Sequence, residues 1–159
     1  MIKAQLNRVA IRVADAHQAV KDFNELFGAT FYGPYEDEHM GLCVALPKRG
    51  GIELMAPMHD HDAIGAYQAL QERGEGISGI ALRVDDFDAA KEYLESKGLK
   101  PAVVFNHGEF KEMIFPPQPA THGLEIAINE FPDANGAAIQ CALDMGIDWK
   151  DVCDWKAGE

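Results

Sequence analysis

The chain has 159 residues, 47% hydrophobic and 25% charged, a composition that suits one packed domain and excludes global disorder. A formal net charge of −12 with no basic run argues against nucleic-acid binding, which needs cations to displace phosphate counterions. No apolar run approaches the roughly 20 residues of a membrane helix, and no secretory leader pattern opens the chain, so a soluble, cytoplasmic protein with no membrane partner is expected.

The first element is an alternating strand over 6–13, with Val9, Ile11 and Val13 on one face and Arg8, Ala10 and Arg12 on the other. Asp15 marks the start of a helix over about 16–27, with Val20, Phe23 and Leu26 at helical spacing and Gly28 as its stop. Three short strands follow at 29–33, 40–46 and 51–56, the last entered through the Lys48-Arg49-Gly50-Gly51 turn. A linker over 58–75 carries an amphipathic helix with Ile64, Tyr67 and Leu70.

The same order then returns. A strand over 77–84 leads through Asp85-Asp86 into a helix over 87–97, stopped by Gly98. Strands at 100–105, 109–115 and 122–129 complete the copy, with Thr121-His122-Gly123 as the last turn. Val84 follows Val13 by 71 positions, Gly98 follows Gly28 by 70, and Leu124-Glu125-Ile126 follows Ile52-Glu53-Leu54 by 72. A repeat that long predicts two tandem β-α-β-β-β units, about 5–57 and 76–130, within one α+β domain over 1–131. Residues 132–159 read as a C-terminal helical extension of that domain, bearing Trp149 and Trp155. It is expected to dock on its own domain, cover the cavity or cross to a second subunit, which makes a homodimer one expectation.

Strand parity selects the candidate site. Val9, Ile11, Val13, Ile80, Leu82 and Val84 should pack against helices, leaving Arg8, Arg12, Gly79 and Arg83 on the opposite, concave face. In the closing strands Ile52, Leu54, Leu124, Ile126 and Ile128 face the core, and Glu53 and Glu125 project to the concave side with Met55 and Ala127. Each glutamate is the lone acid of an apolar strand, so it needs a cation, a donor or a proton.

The segments Leu6-Asn7-Arg8-Val9-Ala10, Ile52-Glu53-Leu54-Met55-Ala56-Pro57 and Arg83-Val84-Asp85-Asp86 resemble the vicinal oxygen chelate superfamily, which includes glyoxalase I, extradiol dioxygenases and bleomycin-resistance proteins. The likeness covers about residues 5–130 and is strongest to the methylmalonyl-CoA epimerase group. It implies a cupped, open barrel made of the two units, and a divalent metal held at four positions. Those positions are Arg8, Glu53, Gly79 and Glu125 here, where the epimerase pattern has His, Gln or Glu, His, and Glu. Arginine stays protonated and glycine has no side chain, and two carboxylates alone make a poor transition-metal site. No metal and no other cofactor is therefore expected, and Leu42 stands near the place of the epimerase's first-unit base. Arg8 is expected between or close to Glu53 and Glu125, supplying the positive charge.

The resemblance implies a small-molecule enzyme, and the lost histidines a metal-independent one, performing isomerisation, epimerisation or lyase chemistry next to a carbonyl. The substrate would be a small carboxylate or acyl thioester. Glu53 and Glu125 are the candidate acid and base, Arg8, Arg12 and Arg83 the ligand-binding cations, and Met55, Phe105 and Met113 an apolar wall. Two alternatives stand beside it: a bleomycin-resistance type binder that sequesters a ligand without turnover, and a metal-dependent member using His39 or His107 as substitute ligand. His59-Asp60-His61 reads as a solvated loop, His17 and His122 as surface and turn residues. Cys43, Cys141 and Cys153 are odd in number and lack CxxC spacing, so they read as buried thiols.

Overall fold

The computed structural model describes residues 2–48, 51–107 and 110–130; the helices expected in 132–159, and the side chain of His107, lie outside what is described. The first unit runs β1 (Ala4–Arg12), α1 (Ala16–Phe27), β2 (Phe31–Asp37), β3 (Leu42–Pro47) and β4 (Ile52–Pro57). After α2 (Ala66–Arg73) the second runs β5 (Gly76–Val84), α3 (Phe87–Ser96), β6 (Val103–His107), β7 (Phe110–Phe115) and β8 (Glu125–Glu130). All eight strands form one sheet in the order β2-β3-β4-β1-β5-β8-β7-β6. The α+β repeat expected from sequence is thus present as a curled half-barrel.

Local chemistry sets the helix ends. The Asp15 carboxylate accepts the Gln18 N–H at 3.0 Å, and Asp86 accepts the Ala89 N–H at 2.9 Å, so both α1 and α3 start on an aspartate N-cap. Gly28 takes φ 67° to close α1, a conformation that only glycine adopts cheaply. The linker helix α2 is tied down by Asp62, whose carboxylate accepts the N–H groups of Ala66 and Tyr67 at 2.8 Å each. Several strand boundaries, those of β2, β3, β6 and β8 among them, differ from the sequence reading. Asp37 accepts the His39 and Met40 N–H groups at 3.0 Å each, a tight turn that lets β2 run on to Asp37 and delays β3 to Leu42. At the end of α3 the Leu99 N–H bonds back to the Leu94 carbonyl at 3.1 Å, so β6 starts only at Val103.

Units join at the centre, where β1 and β5 pair antiparallel, and each then pairs parallel with its own closing strand, β4 or β8. Among the described residues, helix-side packing forms one cluster in each unit: α1 on Val13, Leu54 and Ala56, and α3 on Val84, Phe115 and Ile128. A third cluster lines the concave face, with Ala10, Leu42, Met55, Ala81, Ile114 and Ala127. Ile52, expected in the core, is 38% exposed because it opens β4 ahead of the residues that α1 covers.

Candidate functional site

Register places the four central strands in one row: Glu53 opposite Ala10, Ala10 opposite Gly79, and Gly79 opposite Glu125. Both glutamates thus stand on the concave face, one from each unit, with the two central strands between them. At Gly79 the backbones pinch. A Cβ built there would lie 2.2 Å from the Glu125 carbonyl oxygen and 2.7 Å from the Glu125 Cβ, so no side chain fits. The glycine is therefore a steric requirement of this sheet as well as the loss of a histidine.

Arg8 does not join Glu125. Its Nε donates to the Glu53 carboxylate, and its Nη2 donates to Glu112 Oε2 at 2.8 Å. Of the two carboxylates expected beside it, Arg8 meets Glu53, and Glu112 takes the place expected for Glu125, because β7 turns Glu112 and Ile114 into the cup. Glu112 also accepts the Asn129 Nδ2–H at 3.2 Å. Burial opposes the charge on Arg8, but attraction to Glu53 and Glu112 and the hydrogen bonds they accept outweigh it, and its pKa is held above the ordinary arginine value. This closed cluster satisfies a buried cation with two anions, and removing one member would strand the rest.

The other end of the cup is open. Arg12, Ser78 and Glu125 meet α2 around a cavity of about 230 Å³. Arg12 is 5% exposed and anchored by two hydrogen bonds, Nε and Nη2 donating to the Gly74 carbonyl at 3.1 and 3.0 Å. Glu125 is 7% exposed, faces this cavity, and its carboxylate has neither hydrogen bond nor ion pair among the described residues. Burial, then the nearby charges of Glu53, Glu112 and Asp62, push its pKa up to about 8, with Arg12 pulling the other way. Such a group holds its proton at neutral pH and gives it up a little above it.

The remaining candidates separate by strand face. Met55 is buried in the concave cluster and Phe105 packs at its edge. Met113 is corrected: it is fully buried on the helix side with Phe87, Ala90 and Phe115, because parity along β7 sends its neighbours Glu112 and Ile114 into the cup instead. Arg83 reaches the concave face at the far end from Arg12, beside Asn129 in register. His39 and His59 sit in exposed loops, His59 within 3.4 Å of Glu38. Among the described residues no group of three or more His, Cys, Asp or Glu is arranged to hold a metal ion. The four family positions offer two carboxylates, a guanidinium committed to Glu53 and Glu112, and a glycine with no room for a ligand, a donor set that does not fit a transition metal.

Sequence reasoning missed Glu112, Asn129 and Ser78. Counting outward from Glu125 on β8 would have found Asn129, which shares its face. Glu112 was masked by its neighbour Lys111, since two adjacent charges in a strand give no parity signal.

A family model described as the Glyoxalase/Bleomycin resistance protein/Dioxygenase superfamily matches residues 7–113. The chain belongs to this superfamily. Solved structures agree with the fold. Methylmalonyl-CoA epimerase from Mycobacterium tuberculosis superposes with a TM-score of 0.69 at 26% identity, over 86% of this chain and 93% of that one. A variant of the Streptomyces coelicolor epimerase in complex with 2-nitronate-propionyl-CoA gives 0.70 at 19% identity, over 84% and 100%. A hypothetical protein from Bacillus halodurans gives 0.68 at 18%, over 82% and 96%. No curated protein matches. Among the superfamily member's described residues, no helix is long and apolar enough to cross a membrane.

Proposed function

We propose that the chain is a metal-independent, epimerase-like enzyme that moves a proton next to the carbonyl of a small carboxylate or acyl thioester. The observation that carries this reading is Glu125: a buried carboxylate with no hydrogen bond or ion pair among the described residues, facing a cavity that also presents Arg12 and Ser78. In its ionised form Glu125 removes the proton on the carbon next to the carbonyl, and the electron pair moves onto the carbonyl oxygen as an enolate. Arg12, with Ser78 beside the same cavity, stabilises the oxygen's charge. After the Glu125 proton has exchanged with solvent, its return to the same face completes an exchange, whereas a proton from water on the opposite face, with Glu125 releasing its own to solvent, completes an inversion. A pKa near 8 suits both halves of that cycle close to neutral pH. Glu53 is a weaker candidate, since Arg8 already holds it as a salt-bridged anion. The kinship with methylmalonyl-CoA epimerases supports an acyl thioester as the first substrate class to try.

The closed Arg8–Glu53–Glu112 cluster favours one second reading, a binder that keeps the cup but not the chemistry. Solvent deuterium incorporation separates the two. Chelator-treated protein in D₂O, given methylmalonyl-CoA and a panel of 2-substituted acyl thioesters and 2-oxo acids, should exchange the proton on the carbon next to the carbonyl. The Glu125→Gln variant should lose about 10²-fold or more of that rate while still binding. Tight binding with no exchange by the unmodified protein establishes the binder.

A further inference from the structure

Two buried side-chain polar atoms lack a hydrogen-bond partner among the described residues, Arg83 Nε and Asn129 Oδ1. They belong to register neighbours on the adjacent parallel strands β5 and β8. Both project to the concave face, as Ala81 and Ala127 do two residues earlier. Asn129 is fully buried, and its amide orientation is fixed by chemistry: Nδ2 donates to Glu112 Oε2, and the flipped amide would set oxygen against a carboxylate. The unpaired Asn129 atom is therefore an acceptor, and its register neighbour carries an unpaired cationic donor. Arg83 makes no ion pair among the described residues, whereas Arg8 is bound by two carboxylates and Arg12 by a carbonyl. Buried unpaired polar groups are uncommon, and a donor and an acceptor unpaired side by side mark a place for a group that supplies both complements.

We infer that Arg83 and Asn129 form an anchoring subsite for a carboxylate that carries a hydrogen-bond donor on its adjacent carbon, such as an α-hydroxy acid. The carboxylate takes the Arg83 Nε–H, and the neighbouring hydroxyl donates to Asn129 Oδ1. A plain carboxylate leaves Asn129 unmet, and a neutral amide leaves the Arg83 charge unmet. Four residues along β8 separate this subsite from Glu125, about 13 Å at the usual rise of a strand, so it recognises a remote part of a ligand and not the reacting centre. The inference concerns binding alone and stands whether or not Glu125 acts as acid or base.

The test uses the full chain, ¹⁵N-labelled, with lactate and propionate as probes. The Arg83 Nε–Hε cross-peak is identified by its absence in Arg83→Lys. It should move saturably with lactate, and propionate should bind about tenfold more weakly or worse, as loss of one hydrogen bond to a buried acceptor implies. In Asn129→Leu the lactate affinity should fall by a similar factor, about tenfold. A cross-peak that does not move in the unmodified protein, equal affinity for the two acids, or unchanged lactate binding in Asn129→Leu each overturns the subsite. The first of these outcomes would leave the pair serving only a buried water.

Discussion

Replacing Glu125 by Gln should make the protein more stable, and increasingly so as pH rises. In the folded chain burial and three neighbouring carboxylates raise the Glu125 pKa to about 8, from an ordinary value of 4.5. Below 4.5 the group is protonated whether the chain is folded or unfolded, and it costs nothing. Between 4.5 and 8 the unfolded chain releases the proton while the folded chain keeps it, so stability is lost steadily as pH rises and the loss is complete above 8. At about 1.4 kcal/mol per pH unit, the full interval sets an upper bound of about 5 kcal/mol, with about 3 kcal/mol already lost by pH 7. Glutamine keeps the shape and cannot ionise, so the difference between variant and parent reads this group together with its coupling to Glu53, Glu112 and Asp62. Urea unfolding at pH 5, 7 and 9 measures it: with an m value of about 2 kcal/mol/M, the midpoint advantage of Glu125→Gln should grow from near zero to about 2 M. Parallel midpoints for the two proteins across that range would refute the reasoning, as would a variant that is less stable than its parent at pH 9.

Arg8→Met leaves Glu53 and Glu112 buried without their cation and should cost about 3–5 kcal/mol in urea unfolding, most of it recovered when both glutamates are also changed to Gln. Gly79→Ala places a Cβ against the Glu125 backbone and should lower the melting temperature sharply or prevent folding, whereas Ala81→Gly two residues along should be far milder. For the same reason the Arg8→His, Gly79→His double variant should fail to bind stoichiometric zinc by elemental analysis. Met113→Ala should cost about 2–5 kcal/mol in stability and leave ligand affinity within about twofold, since Met113 packs under α3 and not in the cup.

The repeat carried most of what could be read in advance. Three independent matches at offsets of 70 to 72 positions fixed the order of strands and helices, and two aspartates and a glycine fixed helix ends that the structure reproduces. Parity then placed Arg8, Arg12, Glu53, Met55 and Glu125 on the concave face, because a half-buried strand cannot shift by one residue without inverting its whole apolar set. Pairing between distant strands was not legible in that way. Whether Arg8 meets Glu125 or Glu112 depends on how the half-barrel curls and on which of two adjacent charges in β7 turns inward, and neither leaves a mark in local sequence. The strand ends were blurred for a similar reason: a single Asp37 side chain, by gathering two N–H groups, moved the β2–β3 turn. The pinch at Gly79 was equally hidden, since a glycine in a strand announces a close approach without naming what approaches.

Proton transfer by Glu125 without a metal is the central claim, and exchange of substrate protons with solvent tests it most directly. Protein stripped with chelator and shown metal-free by elemental analysis is incubated with methylmalonyl-CoA or the best acyl thioester of the panel in D₂O, and deuterium on the carbon next to the carbonyl is followed by mass spectrometry across pH 6 to 9. The account predicts exchange that rises with pH through an apparent pKa near 8, as the Glu125 carboxyl ionises, and that is lost in Glu125→Gln. Exchange that appears only when a divalent metal is restored, or that continues undiminished in Glu125→Gln, would contradict it.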